Sequence, residues 1–231
     1  MALAPVSSEE TDSKVSVLIV DDSVVIRGWI RRTLDAHGGF KIVGAASNGQ
    51  AAIDSLKMTP ADVVILDIEM PVMDGLAAIP HLKAIDQAVQ IVMASTLTKK
   101  NAEISMKALS LGATDYIPKP NALTESNLTG ADDFGRELVE KVLTLGTLAR
   151  RRGVRASTGT APKVAKPAAA SAVKKNLALR TAAKFTPDII AIGSSTGGPQ
   201  ALFQVIKDMK NDLPQPIVIT QHMPPSFTNI L

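Results

Sequence analysis

Residues 62 to 76 read Asp-Val-Val-Ile-Leu-Asp-Ile-Glu-Met-Pro-Val-Met-Asp-Gly-Leu, and this stretch decides the fold. Its apolar run, 63–66, has the length and the β-branched content of a strand that is buried on both faces. The run ends on Asp67, and Met70-Pro71 and Asp74-Gly75 then supply turn chemistry, because proline fixes φ and glycine accepts positive φ. Open α/β sheets bind ligands outside the carboxyl ends of their strands. Asp67 is therefore either a ligand-binding group or an acidic cap that solvates the strand end.

The surrounding sequence repeats this alternation of short apolar runs and helical patterns. Ser23 is placed to cap the first helix, and Gly112 is placed to end the fourth. The patterns predict five strands, 15–20, 40–45, 62–67, 91–94 and 114–117, and four connecting helices, 24–36, 48–58, 76–85 and 101–111. This order predicts an α/β fold with a parallel sheet covered by helices on both faces.

The composition excludes several classes of protein. The 231 residues include no cysteine, which excludes a disulfide framework, a thiolate metal site and a cysteine nucleophile. The first ten residues lack the basic and apolar regions of a secretory signal, and no stretch approaches the roughly 20 apolar residues of a membrane span. We therefore expect a soluble cytoplasmic protein.

The net charge of +3 hides an uneven distribution. Ten basic residues and no acidic residue lie between Arg150 and Lys184, so the rest of the chain is net acidic. This segment is rich in Ala, Lys, Arg, Thr, Ser and Pro and has neither aromatic residues nor strong periodicity. Such a composition predicts a flexible linker.

The linker divides the chain into two domains. We predict a disordered tail over 1–13, a first domain over 14–130, an amphipathic helix over 131–151, the linker over 152–185 and the start of a second α/β domain over 186–231. The second domain is predicted to contain only a strand over 189–192, a helix over 200–209 and a strand over 216–220. Two strands and one helix are too few to make a core.

Polar side chains end four of the predicted strands in the first domain. Asp21 and Asp22 follow the first strand, Asp67 ends the third, Ser95 follows the fourth and Lys119 follows the fifth. Converging carboxylates repel one another and raise one another's pKa values, and a hard cation such as Mg²⁺ resolves that repulsion. A lysine adds a positive charge suited to phosphate. The set suits phosphoryl transfer onto an aspartate; the alternative is that each acidic residue only caps a helix.

These residues carry a family resemblance. The chain resembles a two-component receiver domain, which has a doubly wound, flavodoxin-like sheet of five parallel strands. The resemblance is carried by Asp21-Asp22, Asp67 with Met70-Pro71 and Asp74-Gly75, Ser95 and Lys119-Pro120. The resemblance implies that Asp67 is the phosphoacceptor. It also implies an Mg²⁺ site formed by Asp21, Asp22, Asp67 and the carbonyl of Glu69.

The same resemblance assigns three further residues to the response to phosphorylation. Ser95 is expected to be the switch hydroxyl that turns toward the phosphoryl group, and Lys119 its counter-charge. Tyr116 matches the switch aromatic of the family. For Tyr116 the alternative is ordinary packing in a half-buried strand.

A second candidate site follows the strand over 189–192. Residues 193–197 have the spacing G-x-S-x-G between a strand and a helix, which is the context of a nucleophile elbow. A phosphate cradle is the alternative, but Pro199-Gln200 stands where a phosphate loop would carry Lys followed by Ser or Thr. His222 ends the next strand and is therefore placed to act as general base for Ser195, although a lone histidine is more often structural.

The sequence segments that contain Ser195 and His222 also resemble a known family. Residues 189–198 and 221–227 resemble the opening of the catalytic domain of CheB-type chemotaxis protein-glutamate methylesterases. By this resemblance Ser195 is the nucleophile, with Ser194 as its competitor, and His222 is the base. Thr196 and the amides that follow it, including that of Gly197, are expected to hold the tetrahedral oxyanion.

The resemblance implies hydrolysis of glutamate methyl esters, and deamidation of glutamines, on the cytoplasmic helices of chemoreceptors. A histidine kinase would be the phosphodonor, and no cofactor is expected for the esterase. Phosphorylation would shift the first domain away from the second domain's active site. The family's triad aspartate lies far downstream, so we expect this chain to be a truncated form whose longer counterpart hydrolyses the ester while this chain does not.

Two alternatives belong to other functional classes. A receiver with a basic tail could bind nucleic acid, because neutralising phosphates is enough for salt-dependent binding. Against this, the basic segment lacks aromatic residues and no helix-turn-helix pattern follows it; we therefore expect no nucleic-acid partner. The other alternative is a receiver that acts only as a phosphate sink.

Overall fold

The computed structural model describes residues 14–96, 99–119, 128–157, 187–209 and 212–223. The predicted tail and the predicted linker from residue 158 onward lie outside these residues. The strands are β1 (Val15–Val20), β2 (Phe40–Ala46), β3 (Val63–Asp67), β4 (Gln90–Thr96), β5 (Asp115–Lys119), β6 (Ile190–Ser194) and β7 (Ile217–Gln221). The helices are α1 (Val24–His37), α2 (Gly49–Met58), α3 (Gly75–Ile85), α4 (Lys99–Ser110), α5 (Leu128–Ser157) and α6 (Gly198–Asp208).

The first five strands form one parallel sheet in the order β2-β1-β3-β4-β5. This is the doubly wound, flavodoxin-like order, so the predicted fold class is confirmed. The central strand β3 is buried along its whole length, and its residues alternate between two apolar clusters. Val64 and Leu66 pack with α2, α3 and α4, whereas Val63 and Ile65 pack with α1 and α5. A continuous apolar strand is therefore required because both faces are covered.

The amphipathic helix predicted between the domains belongs to the first domain. Four residues of α5, Phe134, Leu138, Val142 and Leu145, are buried in the apolar cluster that also contains Val63 and Ile65. The helix starts at Leu128, before the predicted position, and continues to Ser157, six residues into the segment that was predicted to be linker. Arginine and alanine favour helix, so the basic sequence after Arg151 continues the helix.

Other predicted boundaries differ from the structure by one or two residues, and one difference matters for the site. Strand β5 was expected to end at residue 117, but it extends to Lys119 and includes Pro118. Proline lacks the N–H that a central strand needs, and β5 tolerates it because this strand lies at the edge of the sheet. Lys119 is therefore held by strand pairing, opposite Thr96, and not by a loop.

The second unit consists of β6, α6 and β7, with the two strands parallel and in register from Ile190 with Ile217 to Ser194 with Gln221. Leu202 of α6 is buried, whereas Ile217, Val218 and Ile219 of β7 are each about half exposed. In the part of the chain that the structure describes, no helix is long and apolar enough to cross a membrane.

Candidate functional site

The predicted acidic residues meet at the carboxyl edge of the five-stranded sheet. One carboxylate oxygen from each of Asp21, Asp22 and Asp67 lies within 4.8 Å of the others, an arrangement compatible with a metal ion. Asp21 and Asp67 are buried, whereas Asp22 is exposed. Carboxylate oxygens at a site that is open to solvent on the Asp22 side suit Mg²⁺, which keeps several of its waters.

Lys119 joins two of these carboxylates. Its ammonium nitrogen lies 2.5 Å from Asp21 Oδ2 and 2.8 Å from Asp67 Oδ1, and all three side chains are largely buried. Charged groups are rarely buried unless they are paired. Four of the five residues that the sequence analysis grouped together, Asp21, Asp22, Asp67 and Lys119, therefore form one pocket.

The Asp67 carboxylate has a raised pKa. Burial is the main cause, because it disfavours the charged form, and the nearby Asp21 carboxylate raises the pKa further. The Lys119 ammonium and the Ile68 N–H, which donates to Asp67 Oδ1 at 2.8 Å, act in the opposite direction. Asp67 is thus held where a cation would relieve an existing electrostatic cost.

The helix caps come from residues other than the acidic cluster. Ser23, Asn48 and Asp74 accept N–H groups at the starts of α1, α2 and α3 respectively. The alternative that Asp21, Asp22 and Asp67 only cap helices is therefore wrong for these three helices. Asp21 accepts the Ser23 N–H at 2.9 Å, which orients its carboxylate beside the pocket.

Gly75 closes the loop after Asp67. Its N–H donates to the Ile68 carbonyl at 2.9 Å, and a Cβ at this position would overlap the carbonyl oxygen of Asp67. Any larger residue would therefore displace the strand end that carries Asp67. The Asp-Gly pair thus packs α3 tightly against the site.

The remaining predicted residues of this site lie on β4, on β5 and in the loop after β3. Ser95 is buried on β4, next to Ala94, which pairs with Asp67. Tyr116 is buried inside β5 and packs in the same apolar cluster as Val64 and Leu66, so it takes part in core packing, as the alternative expects, but is buried more completely. Burial raises the pKa of Tyr116, and the Asp115 and Glu137 carboxylates add to that rise. Glu69 is exposed two residues after Asp67.

The second candidate site lies at the carboxyl ends of β6 and β7. Ser195 and His222 are both exposed and directly follow these adjacent parallel strands, and the His222 N–H donates to the Ser194 carbonyl at 3.3 Å. The Ser194 hydroxyl donates to Gln221 Oε1. Because Ser194 is engaged in this bond and partly covered, the geometry favours Ser195 as the nucleophile.

Gln221 is a site residue that the sequence analysis did not single out. Its Nε2 donates to the carbonyl of Ser195 at 3.2 Å and to that of His222 at 3.0 Å. A Cβ on Gly198 would meet Gln221 Oε1 and would also lie 2.9 Å from the Ser194 Cβ, so the close packing of the turn depends on this glycine. The available signals were its place directly before His222, at the end of the strand, and its position at the start of the segment 221–227 that carries the family resemblance. Glutamine in that position is not by itself typical of any site.

Comparison with known proteins identifies both domains. A model of the response regulator receiver domain matches residues 17–129, and a model of the CheB methylesterase matches residues 190–231. The chain belongs to the CheB family. A protein-glutamate methylesterase/protein-glutamine glutaminase of Rhodospirillum centenum is 51% identical to it over 93% of this chain and 57% of the relative. A protein of the same name from Azospirillum brasilense is 50% identical over 94% of this chain and 56% of the relative.

A solved structure agrees with this family assignment. The response regulator domain of Thermotoga maritima CheB is 31% identical, with a TM-score of 0.51, and covers 58% of this chain and 97% of that domain. The chain spans little more than half the length of the two curated relatives.

Proposed function

We propose that the first domain accepts a phosphoryl group on Asp67 from a histidine kinase and thereby controls a protein-glutamate methylesterase/glutaminase in the cytoplasm. The observation that supports this best is the position of Lys119 between Asp21 and Asp67. An Asp67 oxygen would attack phosphorus while the donor imidazole leaves. The Lys119 ammonium would then turn from a carboxylate partner into a counter-charge for the new phosphoryl oxygens.

The donor set fits Mg²⁺. Asp21, Asp22, Asp67 and the Glu69 carbonyl would hold the ion, which when bound would neutralise charge on the transferring group. Ser95 and Tyr116 would respond to the phosphoryl group, since Ser95 is buried on β4, next to β3, and Tyr116 is buried on β5, the strand that ends in Lys119.

For the second unit we propose ester hydrolysis. Ser195, deprotonated by His222, would attack the glutamate γ-carbonyl, methanol would leave with the proton from His222, and water would then cleave the acyl-enzyme. Thr196 and the Gly197 amide would stabilise the oxyanion. The substrates would be methylated glutamates, and glutamines, on the cytoplasmic helices of chemoreceptors. The third member of the triad would come from the region in which the relatives are longer than this chain.

Labelling with acetyl phosphate tests the first proposal. We expect Mg²⁺-dependent uptake that Asp67→Asn abolishes and that the surface control Asp54→Asn retains. Uptake that persists in Asp67→Asn would exclude Asp67 as the phosphoacceptor.

The esterase is tested by methanol release from methylated receptors, with this chain and with a chain extended to the length of the relatives. Ser195→Ala should abolish release from the extended chain, whereas Ser194→Ala should retain some. The opposite ranking would make Ser194 the nucleophile. Release from the present chain would contradict the expectation that the downstream aspartate is required.

A further inference from the structure

An acidic residue of the first domain contacts the serine turn of the second unit. Asp115, the first residue of β5, is buried, and its Oδ2 accepts the N–H of Gly197 at 2.7 Å. Gly197 has a φ of 70° and is the N-cap residue of α6, which has no side-chain capping hydrogen bond from that position. A carboxylate at this position is favoured both by the unpaired amides of the helix start and by the helix dipole.

The other carboxylate oxygen of Asp115 is held inside the first domain. Asp115 Oδ1 accepts the ammonium of Lys141 at 3.1 Å and the Tyr116 N–H at 2.8 Å. The two oxygens therefore point to different domains, one toward α5 and β5 and the other toward the serine turn. The geometry of the side chain links those two regions directly.

Lys141 contacts both Asp115 and Tyr116, the predicted switch residue. Its ammonium also donates to the Tyr116 carbonyl at 2.7 Å, lies 5.2 Å from the centre of the Tyr116 ring and pairs with Glu137 at 3.2 Å. A change in the position of Tyr116 would therefore disturb the main cation that holds Asp115. Lys119, the partner of Asp67, lies on the same strand four residues after Asp115.

The space between α4 and α6, next to this contact, is incompletely filled. A cavity of about 310 Å³ separates α4 from α6, lined by Leu109, Ser110, Gly112, Gln200, Phe203 and Lys207 among others. Unfilled space forfeits dispersion contacts. The charge-assisted bond from Gly197 to Asp115 is therefore a specific polar contact between the domains, formed in addition to the apolar packing of Met223 against the core of the first domain.

We propose that Asp115 is an internal anion for the Gly197 amide, positioned by Lys141, and that it occupies a donor which the esterase needs for its oxyanion. The inference rests on the proposed function, because the Gly197 amide is one of the groups assigned there to the oxyanion. The product of ester hydrolysis is also a side-chain carboxylate, so Asp115 presents the turn with the same chemical group. Movement of Tyr116 on activation at Asp67 releases Lys141, then Asp115, and frees the amide.

Hydrogen exchange of the single Gly197 amide, followed by NMR in this chain, tests the contact. The double variant Asp115→Leu/Lys141→Met removes both charges and the acceptor for the Gly197 amide, so the buried Asp115–Lys141 pair leaves no uncompensated charge. We expect its Gly197 exchange rate to rise about tenfold or more, as loss of a bond to a charged group predicts. Glu137→Gln removes another partner of Lys141 and should leave the rate nearly unchanged. Unchanged exchange in the double variant, with the amide signals of β1 to β4 preserved, would overturn the proposal.

A second arm tests the link to the phosphorylation site. Beryllofluoride with Mg²⁺ should shift the amide signals around Asp67 and also speed Gly197 exchange in the wild type, but add little in the double variant. Shifts at Asp67 without faster Gly197 exchange would overturn the coupling. Absence of any shift at Asp67 would instead count against the proposed phosphoacceptor, and the first arm would still decide the role of Asp115.

Discussion

The ammonium nitrogen of Lys119 lies 2.8 Å from Asp67 Oδ1 in a pocket where both side chains are largely buried. The same nitrogen lies 2.5 Å from Asp21 Oδ2, so one cation compensates two carboxylates. Asp22 adds a third carboxylate at the rim. This excess of negative charge makes the stability of the first domain depend on Lys119, on protons and on divalent cations.

Lys119→Met should destabilise the first domain strongly in the presence of a chelator. Removing one partner of a buried ion pair typically costs about 3 kcal/mol or more, because the remaining charges are left uncompensated. Saturating Mg²⁺ should restore part of this loss, since it binds only the folded arrangement of carboxylates. Urea denaturation with and without Mg²⁺ measures both effects.

Lys57→Met is the matched control for this experiment. Lys57 pairs with Asp54 at 3.9 Å, and both side chains are well over half exposed. Exposed pairs contribute about 0–1 kcal/mol, so this substitution should change the free energy of unfolding little. Equal losses in the two variants would show that the acidic pocket does not depend on Lys119.

Asp67→Asn should raise the thermal stability of the first domain near neutral pH in a chelator. The pKa of Asp67 is raised above its ordinary value of 3.8, chiefly by burial, so the folded state favours the neutral carboxyl. An asparagine keeps the shape and removes the buried charge. A lower melting temperature for Asp67→Asn at pH 7 would show that pairing with Lys119 outweighs the cost of burial.

The pH dependence gives a second test of the same residue. Between 3.8 and its raised folded value, Asp67 binds more protons in the folded than in the unfolded state. Its contribution therefore falls as pH rises through this window, by linkage. The stability advantage of Asp67→Asn over wild type should grow with pH across the window and then become constant, as thermal unfolding at a series of pH values would reveal.

The strand ends of the first domain could be predicted from sequence because each buried run stops at a charged or hydroxyl residue. Asp67 and Ser95 were placed in this way, and parallel strands bring such ends together. The strand position of Lys119 was not predicted, since Pro118 normally indicates a loop and only the edge position of β5 permits it. The bond from Gly197 to Asp115 joins residues of two domains, and no local pattern encodes such a contact.

Val72→Asn should stabilise the loop between β3 and α3. Val72 has a φ of 69° and is 86% exposed, so a β-branched residue is held in the left-handed region without compensating burial. This conformation costs roughly 1–2 kcal/mol for an ordinary residue, whereas asparagine tolerates it. We expect a gain of about 1 kcal/mol in urea denaturation. Val25→Asn, at an exposed helical position in α1, should give no such gain. A similar rise in the free energy of unfolding in both variants would show that the loss of surface hydrophobicity, and not the backbone conformation of Val72, causes the effect.

Gly146→Ala should destabilise the first domain although alanine favours helix. A Cβ on Gly146 would overlap the side chain of Val15, a stiff, buried residue of β1. Overpacking of this kind costs about 1–3 kcal/mol, against a gain of about 1 kcal/mol from helix propensity.

Gly135→Ala on the same helix is the matched control, because its Cβ would lie 3.5 Å from Thr33 Cγ2, an ordinary contact. Gly135→Ala should be neutral or stabilising, and Val15→Ala should rescue Gly146→Ala in a double-mutant cycle of urea denaturations. Additive effects of Val15→Ala and Gly146→Ala would show that α5 does not pack on β1 at this position.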